Sequence, residues 1–152
     1  PNGIHYNEAS KQQKQKIMKD FSTSCDLIKK HIDYLCTEYN LSLKKVFLLG
    51  FSQGSMMSFE VGTTLKQLIA GIISLSGRIY SNNFQENNRK KSPVLIVHGE
   101  TDTIIPPNRY YETCEILEKL KFAVEKHLIK NMAHTISSDV IKITENFIRL
   151  HK

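Results

Sequence analysis

The sequence lacks the features that would place it in a membrane or outside the cell. No apolar run approaches the roughly 20 residues that a membrane-spanning helix needs. The opening segment PNGIHYNEAS has no charged stretch followed by an apolar one, as a secretory signal peptide would. The 3 cysteines form no CxxC motif and no cysteine–histidine cluster of the kind that binds zinc. We therefore expect a cytoplasmic protein with no integral membrane segment, no bound metal and no organic cofactor.

Disulfide bonds are also not expected. Cys25 and Cys36 fall on one predicted helix, where their separation in sequence corresponds to roughly 16 Å. A disulfide requires α-carbons within about 7 Å, so this pair cannot bond within the helix. Cys114 has no neighbouring cysteine in sequence. The sequence predicts three free thiols.

Acidic residues are in the minority: 21 Lys and Arg outnumber 15 Asp and Glu, which gives a net charge of +6. An excess of basic residues can indicate a nucleic-acid or anionic-membrane partner. Here the lysines are spread over predicted helix faces and loops, and no aromatic residues alternate with them as a base-stacking surface requires. We expect an ordinary solvated surface and no nucleic-acid partner.

Residues 1–152 suffice for a single domain with a sizeable core, and their pattern predicts an α/β fold. Apolar residues recur at helical spacing over about 10–39, which indicates a long amphipathic helix. Short apolar runs then alternate with helical patterns, and an Asn-rich loop covers 81–91. The predicted strands are 46–49, 71–75, 94–97 and 122–129, and the later helices are 53–66, one entered at 106–107, and 140–150. This alternation favours a parallel sheet with helices on both faces.

Glycine is scarce, with 7 in the chain, yet two glycines flank Ser52 in the pentapeptide GFSQG. A Gly-x-Ser-x-Gly segment between a strand and a helix holds a nucleophilic serine on a sharp turn above the sheet. Both glycines are expected to be necessary because side chains would collide in so tight a turn. The N–H of the next residue, Gln53, is then expected to stabilise the oxyanion at the N-terminus of the following helix.

A serine nucleophile needs a base to take its proton and an acid to orient the base. Two aspartates follow Ser52 in the chain. Asp102 lies just past the carboxyl end of a predicted strand, where the active-site loops of parallel sheets gather. Asp139 reads instead as a first-turn acid that stabilises a helix N-terminus. Glu100 shares the Asp102 loop and is the second candidate for the acid.

Three histidines qualify as the base by their position. His98 precedes Asp102 on the same strand end, so we expect it to pack beneath the loop rather than face the serine. His127 lies inside an alternating strand and is expected to face solvent. His134 follows the last strand and completes the order serine, acid, histidine found in α/β-hydrolases. We predict that Ser52, Asp102 and His134 converge as a catalytic triad.

These segments resemble the phospholipase/carboxylesterase family, which includes acyl-protein thioesterases and lysophospholipases. The resemblance covers nearly the whole chain, from the opening Pro-Asn onward. Its motifs are GFSQGS, the LSG of 75–77, HGETDTIIP and the final MAHTI. It implies an α/β-hydrolase fold and maps the acid onto Asp102. Asn131 stands where the family usually carries glycine, and Asn is the next best residue for a positive φ angle.

The resemblance also indicates what this chain does not contain. Family members begin with several further strands and a Leu-His-Gly-x-Gly-Asp type of segment, which supplies a second oxyanion N–H. The chain has no such segment, so we expect only the C-terminal four strands of an α/β-hydrolase sheet. Strand 46–49 would then form an open edge, and an apolar open edge favours self-association.

The function implied is a serine carboxylesterase or thioesterase that works through an acyl-enzyme on Ser52. Lysophospholipids, acyl-thioesters and short-chain esters are the substrates that the resemblance implies, and the short segment Gly3 to Glu8 leaves the acyl chain length open. A peptidase or a dienelactone-type hydrolase would share the same triad. A different alternative is a truncated, weakly active or inactive relic of such a hydrolase that acts as a binding module.

Overall fold

The computed structural model of the protein describes residues 10–80 and 90–152. Its strands are β1 (Phe47–Phe51), β2 (Gly71–Leu75), β3 (Val94–Gly99) and β4 (Val124–Ile129). They form one four-stranded sheet in the order β1-β2-β3-β4, and every neighbouring pair is parallel. The predicted α/β architecture is confirmed, and among the described residues β1 and β4 are the two edge strands.

The four predicted helices are present, with boundaries that differ by a few residues from those expected. They are α1 (Lys11–Glu38), α2 (Gln53–Thr64), α3 (Asn108–Lys119) and α4 (Ser138–His151). The N-terminus of α1 is closed by a capping box between Ser10 and Gln13. Pro107 immediately precedes α3, as expected of a residue whose φ angle suits helix entry.

The two central strands are buried along their whole length, as continuous apolar runs in a parallel sheet require. Successive side chains point to opposite faces of the sheet. On one face Ile72 and Ile96 pack in a cluster with residues of α2 and α3. On the other face Ile73 and Leu95 pack against α4, around Phe147. Helices therefore cover both faces, while α1 packs outside α2.

Because the strands are parallel, their carboxyl ends lie along one edge of the sheet, where the chemistry of such folds gathers. The chain leaves β1 at Ser52, leaves β3 toward Asp102 and leaves β4 toward His134. All three predicted triad residues therefore follow strands at the same edge. In the described chain β1 pairs only with β2, and its Leu49 is 51% exposed.

The structure also tests the predictions made for the cysteines, for Asn131 and for membrane spans. The three cysteines are free, with Cys25 and Cys114 buried. Asn131 has a φ angle of 56°, as its place in the histidine loop predicted. Over 10–80 and 90–152, every helix is too short or too polar to cross a bilayer. Gly3 to Glu8 and loop positions 81–89 lie outside the described residues.

Candidate active site

Ser52 occupies the sharp turn between β1 and α2. Its φ and ψ angles are 54° and −117°, a combination that non-glycine residues rarely adopt. Such strained backbone costs about 1–3 kcal/mol and persists only where the surroundings enforce it. The Ser52 N–H donates to the Leu75 carbonyl at 2.9 Å, and the Ser52 carbonyl accepts from the Ser55 N–H at 3.1 Å. The turn is therefore fastened both to β2 and to the helix that follows.

The two glycines of the pentapeptide have different roles, which corrects the sequence prediction. A β-carbon at Gly50 would lie 2.1 Å from the Gly54 carbonyl carbon, so Gly50 is required by close backbone approach. A β-carbon at Gly54 would meet no described atom within 4 Å. Gly54 sits on the first turn of α2 with no positive φ angle, and its side-chain direction is open. Steric collision therefore does not account for this second glycine.

A buried pair of serines supports the turn from below, and sequence reasoning did not identify it. The Ser55 and Ser74 hydroxyl oxygens are 2.5 Å apart, and both residues are fully buried. Buried hydroxyl groups are costly unless they are hydrogen-bonded. This hydrogen bond joins the first turn of α2 to β2, beneath Ser52. A serine within an otherwise apolar strand was the signal that identifies Ser74.

The structure brings the three predicted triad residues together. The His134 Nε2 atom lies 3.0 Å from the Ser52 hydroxyl oxygen, and the His134 Nδ1 atom lies 2.7 Å from Asp102 Oδ2. Both distances fall within the range of catalytic hydrogen bonds. An ionised carboxylate accepts only, so Nδ1 carries the proton and Nε2 is the atom that accepts from the serine. The Phe51 ring packs against the imidazole, with the two ring centroids 4.8 Å apart.

Asp102 is 2% exposed, and its surroundings favour the ionised form. Burial acts to raise the pKa of this carboxyl. Hydrogen bonds from His134 and from the backbone N–H groups of Ile105 and Ile104 outweigh that effect, so the pKa of Asp102 lies below its ordinary value of 3.8. The two backbone N–H groups each donate to Oδ1 at 2.9 Å. The carboxylate is thus held on Oδ1 by its own turn, while Oδ2 contacts His134.

The competing candidates have other partners. The Glu100 carboxylate accepts from the Asn131 N–H at 3.3 Å instead of contacting the imidazole. His98 is fully buried and its Nε2 atom lies 2.8 Å from the Ile105 carbonyl oxygen, so it packs beneath the acid loop as predicted. His127 is partly exposed and pairs with Glu125. Asp139 lies in the first turn of α4, as predicted.

The acid and histidine loops touch at a glycine whose role the sequence did not reveal. A β-carbon at Gly99 would lie 2.2 Å from the Met132 carbonyl oxygen and 2.6 Å from that of Ala133. The Thr101 N–H also donates to the Met132 carbonyl at 3.0 Å. Only glycine permits this approach, which brings the backbone before His134 against the end of β3. In the sequence, the His-Gly pair that opens HGETDTIIP was the feature that could have identified this glycine.

Gln53 is the first residue of α2, directly after Ser52. Its N–H pairs with no acceptor among the residues that the structure describes, as expected for the first turn of a helix. The N-terminus of a helix favours negative charge, so this N–H suits an oxyanion forming beside Ser52. No group of three His, Cys, Asp or Glu side chains able to hold a metal ion occurs within 10–80 and 90–152.

Comparison with known proteins identifies thioesterase relatives that match most of this chain. The model of the Phospholipase/Carboxylesterase family matches residues 3–152. Acyl-protein thioesterase 1 of Debaryomyces hansenii is 28% identical over 148 residues, which are 94% of this chain and 63% of that protein. Acyl-protein thioesterase 1 of Gibberella zeae is 30% identical over 112 residues, or 70% of this chain and 48% of that protein.

Solved structures show the same fold. The crystal structure of esterase PE8 superposes with a TM-score of 0.80 at 26% identity, covering 87% of this chain and 62% of that one. A phospholipase/carboxylesterase from Dyadobacter fermentans gives a TM-score of 0.77 at 25% identity, covering 97% of this chain and 70% of that one. This chain spans about half to two thirds of the length of the thioesterases it matches. With a family model that matches nearly every residue and this fold, the chain belongs to the phospholipase/carboxylesterase family.

Proposed function

We propose that this chain is a serine hydrolase that cleaves carboxylic esters or thioesters through an acyl-enzyme on Ser52. The observation that carries the proposal is the continuous hydrogen-bonded path from Ser52 through His134 to Asp102, with heavy-atom distances of 3.0 and 2.7 Å. A buried carboxylate, an imidazole and a serine on a strained turn are together the parts that activate a hydroxyl group at neutral pH.

The acylation step follows from the positions of the protons. His134 Nε2 takes the Ser52 proton as the hydroxyl oxygen attacks the acyl carbon, and the carbonyl oxygen becomes an oxyanion near the Gln53 N–H. Asp102 stabilises the imidazolium without accepting its proton. When the carbon–oxygen or carbon–sulfur bond breaks, His134 returns the proton to the leaving alcohol or thiol. Ser52 is then esterified.

Deacylation repeats the sequence with water as the nucleophile. His134 removes a proton from water, which attacks the acyl carbon, and the Ser52 oxygen leaves with the proton that the imidazole returns. The products are a carboxylic acid and the free serine. Neither step requires a metal or an organic cofactor, because the imidazole transfers every proton and the Gln53 N–H meets the developing charge.

The substrates proposed are acyl esters: lysophospholipids, acyl-thioesters or short-chain esters. Family membership supports this class, and the names of the thioesterase relatives support the thioester in particular. We also propose a cytoplasmic location, which is supported by three free cysteines since reducing compartments keep thiols unpaired. A peptidase would use the same triad, so substrate class is decided by comparing ester, thioester and amide substrates.

The alternative is a weakly active or inactive protein that acts as a binding module. It is favoured by the edge position of β1 among the described strands and by the exposure of Leu49 on that strand. An unpaired edge is a site for strand addition, and we propose that it lets two copies of the chain associate. Light scattering of the purified protein and of Leu49→Lys tests this, because a charge on the edge strand should shift the equilibrium toward monomer.

The proposed activity is tested with a fluorophosphonate probe and with nitrophenyl esters. The wild-type chain should react with the probe and hydrolyse the esters, and Ser52→Ala should do neither. The two aspartates that follow Ser52 provide a matched pair: Asp102→Asn should lower turnover by about 10⁴-fold, whereas Asp139→Asn should leave it unchanged. A folded wild-type protein that neither labels nor turns over would favour the binding module. Labelling that survives Ser52→Ala would show that another residue is the nucleophile.

A further inference from the structure

We propose that His98 is a positioning residue: from the buried carboxyl end of β3 it fixes the turn at 102–105 and thereby holds Asp102 toward His134. His98 is not one of the three triad residues, and its hydrogen-bond partner is the Ile105 carbonyl. Its role rests on the proposed function of the triad. It explains why a wholly buried strand, VLIVHG, carries an imidazole among apolar side chains.

The hydrogen bond of His98 identifies its tautomer. Nε2 lies 2.8 Å from the Ile105 carbonyl oxygen, and a carbonyl oxygen can only accept, so Nε2 carries the proton. Nδ1 is buried and has no partner among the described residues. A proton on Nδ1 would therefore have no acceptor, and the Nε2–H form is the one that the surroundings support.

A series of hydrogen bonds connects this ring to the catalytic imidazole. The His98 N–H holds the Ile105 carbonyl, and the Ile105 N–H donates to Asp102 Oδ1 at 2.9 Å. Asp102 Oδ2 in turn accepts from His134 Nδ1 at 2.7 Å. Through Ile105, the orientation of the carboxylate is tied to the centre of the sheet instead of depending on the turn alone.

The location of His98 suits this purpose. β3 pairs with a strand on each side, and the ring is fully buried, with Tyr110 of α3 at a centroid distance of 5.9 Å. A side chain packed in such a core has little freedom to move. Its Nε2 atom also lies 3.6 Å from Asp102 Oδ2, slightly beyond hydrogen-bond distance, so a shift of the turn would change both contacts.

Burying an imidazole is costly when its polar atoms are not all paired. A side chain serving only to fill space would be better apolar, as Val97 and Ile96 are beside it. The retained single hydrogen bond to Ile105, together with the unpartnered Nδ1, indicates that the ring is present for its donor at Nε2. This is the geometric basis of the positioning role.

NMR of the ¹⁵N-labelled histidine rings in the wild-type chain tests the tautomer directly. His98 should show a protonated, hydrogen-bonded Nε2 and a bare Nδ1. A proton on Nδ1 would overturn the proposal, and this measurement does not depend on any variant folding.

A pair of amide substitutions tests the positioning. The amide nitrogen of His98→Gln reaches approximately to the Nε2 position, whereas that of His98→Asn ends near Nδ1 and cannot reach Ile105. Both place the same group in the core, so they differ mainly in the hydrogen bond. His127→Asn, on the neighbouring strand, is the control for loss of a histidine. Each variant is compared with the wild-type chain by two measurements. They are the far-downfield NMR signal of the His134 Nδ1 proton and the rate of Ser52 labelling per folded molecule.

His98→Asn should weaken or shift the His134 proton signal and slow labelling by up to about 100-fold, as misplaced catalytic groups do. His98→Gln and His127→Asn should retain both. If His98→Asn lowers only thermal stability and leaves the signal and the labelling rate per folded molecule unchanged, His98 is structural and the proposal is wrong. If the wild-type chain does not label, the proposed function fails, while the His134 signal still decides whether His98 positions Asp102.

Discussion

Gly99 lies directly against the main chain of Met132, so that a methyl group on Gly99 would stand 2.2 Å from the Met132 carbonyl oxygen. This approach joins the end of β3, which leads to Asp102, to the loop that carries His134. Asp102 and His134 come from segments more than thirty residues apart, and their relative position depends on this close contact between two backbones.

Gly99→Ala should displace the histidine loop. The added carbon would overlap backbone oxygens that cannot rotate away, so we expect a loss of stability of about 1–3 kcal/mol and a fall in kcat/KM of up to about 100-fold. Nitrophenyl-ester kinetics and urea unfolding measure the two effects. Thr101→Ala changes the same loop without adding an atom and should preserve both. Unchanged activity in Gly99→Ala would mean that the loops are less tightly coupled than this contact indicates.

The two glycines beside Ser52 should respond differently to the same substitution. Gly50→Ala places a carbon 2.1 Å from the Gly54 carbonyl carbon. This overlap should destabilise the fold by about 1–3 kcal/mol or more. Gly54→Ala meets open space on a helix, where alanine is favoured over glycine by about 0.5–1 kcal/mol, so stability should hold or rise. Urea unfolding of both variants makes the comparison. Equal destabilisation would restore the original expectation that both positions are sterically restricted.

The strain at Ser52 should be measurable as stability. Ser52→Gly relieves a backbone conformation that costs about 1–3 kcal/mol, and the greater flexibility of the unfolded chain offsets about 0.5–1 kcal/mol of that gain. Ser52→Ala retains the β-carbon and therefore the strain. We expect the glycine variant to be more stable than the alanine variant by roughly 1 kcal/mol, with both inactive. A glycine variant less stable than the alanine variant would show that the turn at Ser52 is not strained.

The lowered pKa of Asp102 should make stability depend on acid pH. The folded protein binds this proton more weakly than the unfolded chain does, so the carboxylate contributes its full stabilisation above the ordinary value of 3.8. That contribution is lost as the pH falls through the lower folded pKa. Unfolding free energies of the wild-type and Asp102→Asn proteins, measured from about pH 6 down to about pH 2, should therefore converge in acid. A constant separation over that range would contradict a lowered pKa.

Much of the fold could be read from local sequence pattern. The continuous apolar runs predicted buried parallel strands, because both faces of such strands are covered, and the 3.6-residue spacing predicted the helices. The position of β1 at the edge of the described sheet followed from counting the strands that the sequence predicts. Ser52 was identifiable because a strained turn of this kind needs Gly50, which lies only two residues before it in sequence. Asn131 was identifiable because a positive φ angle restricts the residue type locally.

The sequence by itself thus determined the strand and helix pattern, the serine on its turn, and the order of the candidate acid and base. Only the tertiary structure decided that Asp102 contacts the imidazole while Glu100 holds the Asn131 N–H, that Gly99 admits the histidine loop, and that His98 bonds to Ile105. The physical reason is the distance along the chain over which each kind of interaction acts. Periodicity and turn geometry act between near neighbours, whereas these contacts depend on how loops from separate strands pack together, and a shift of an ångström would exchange one hydrogen-bond partner for another.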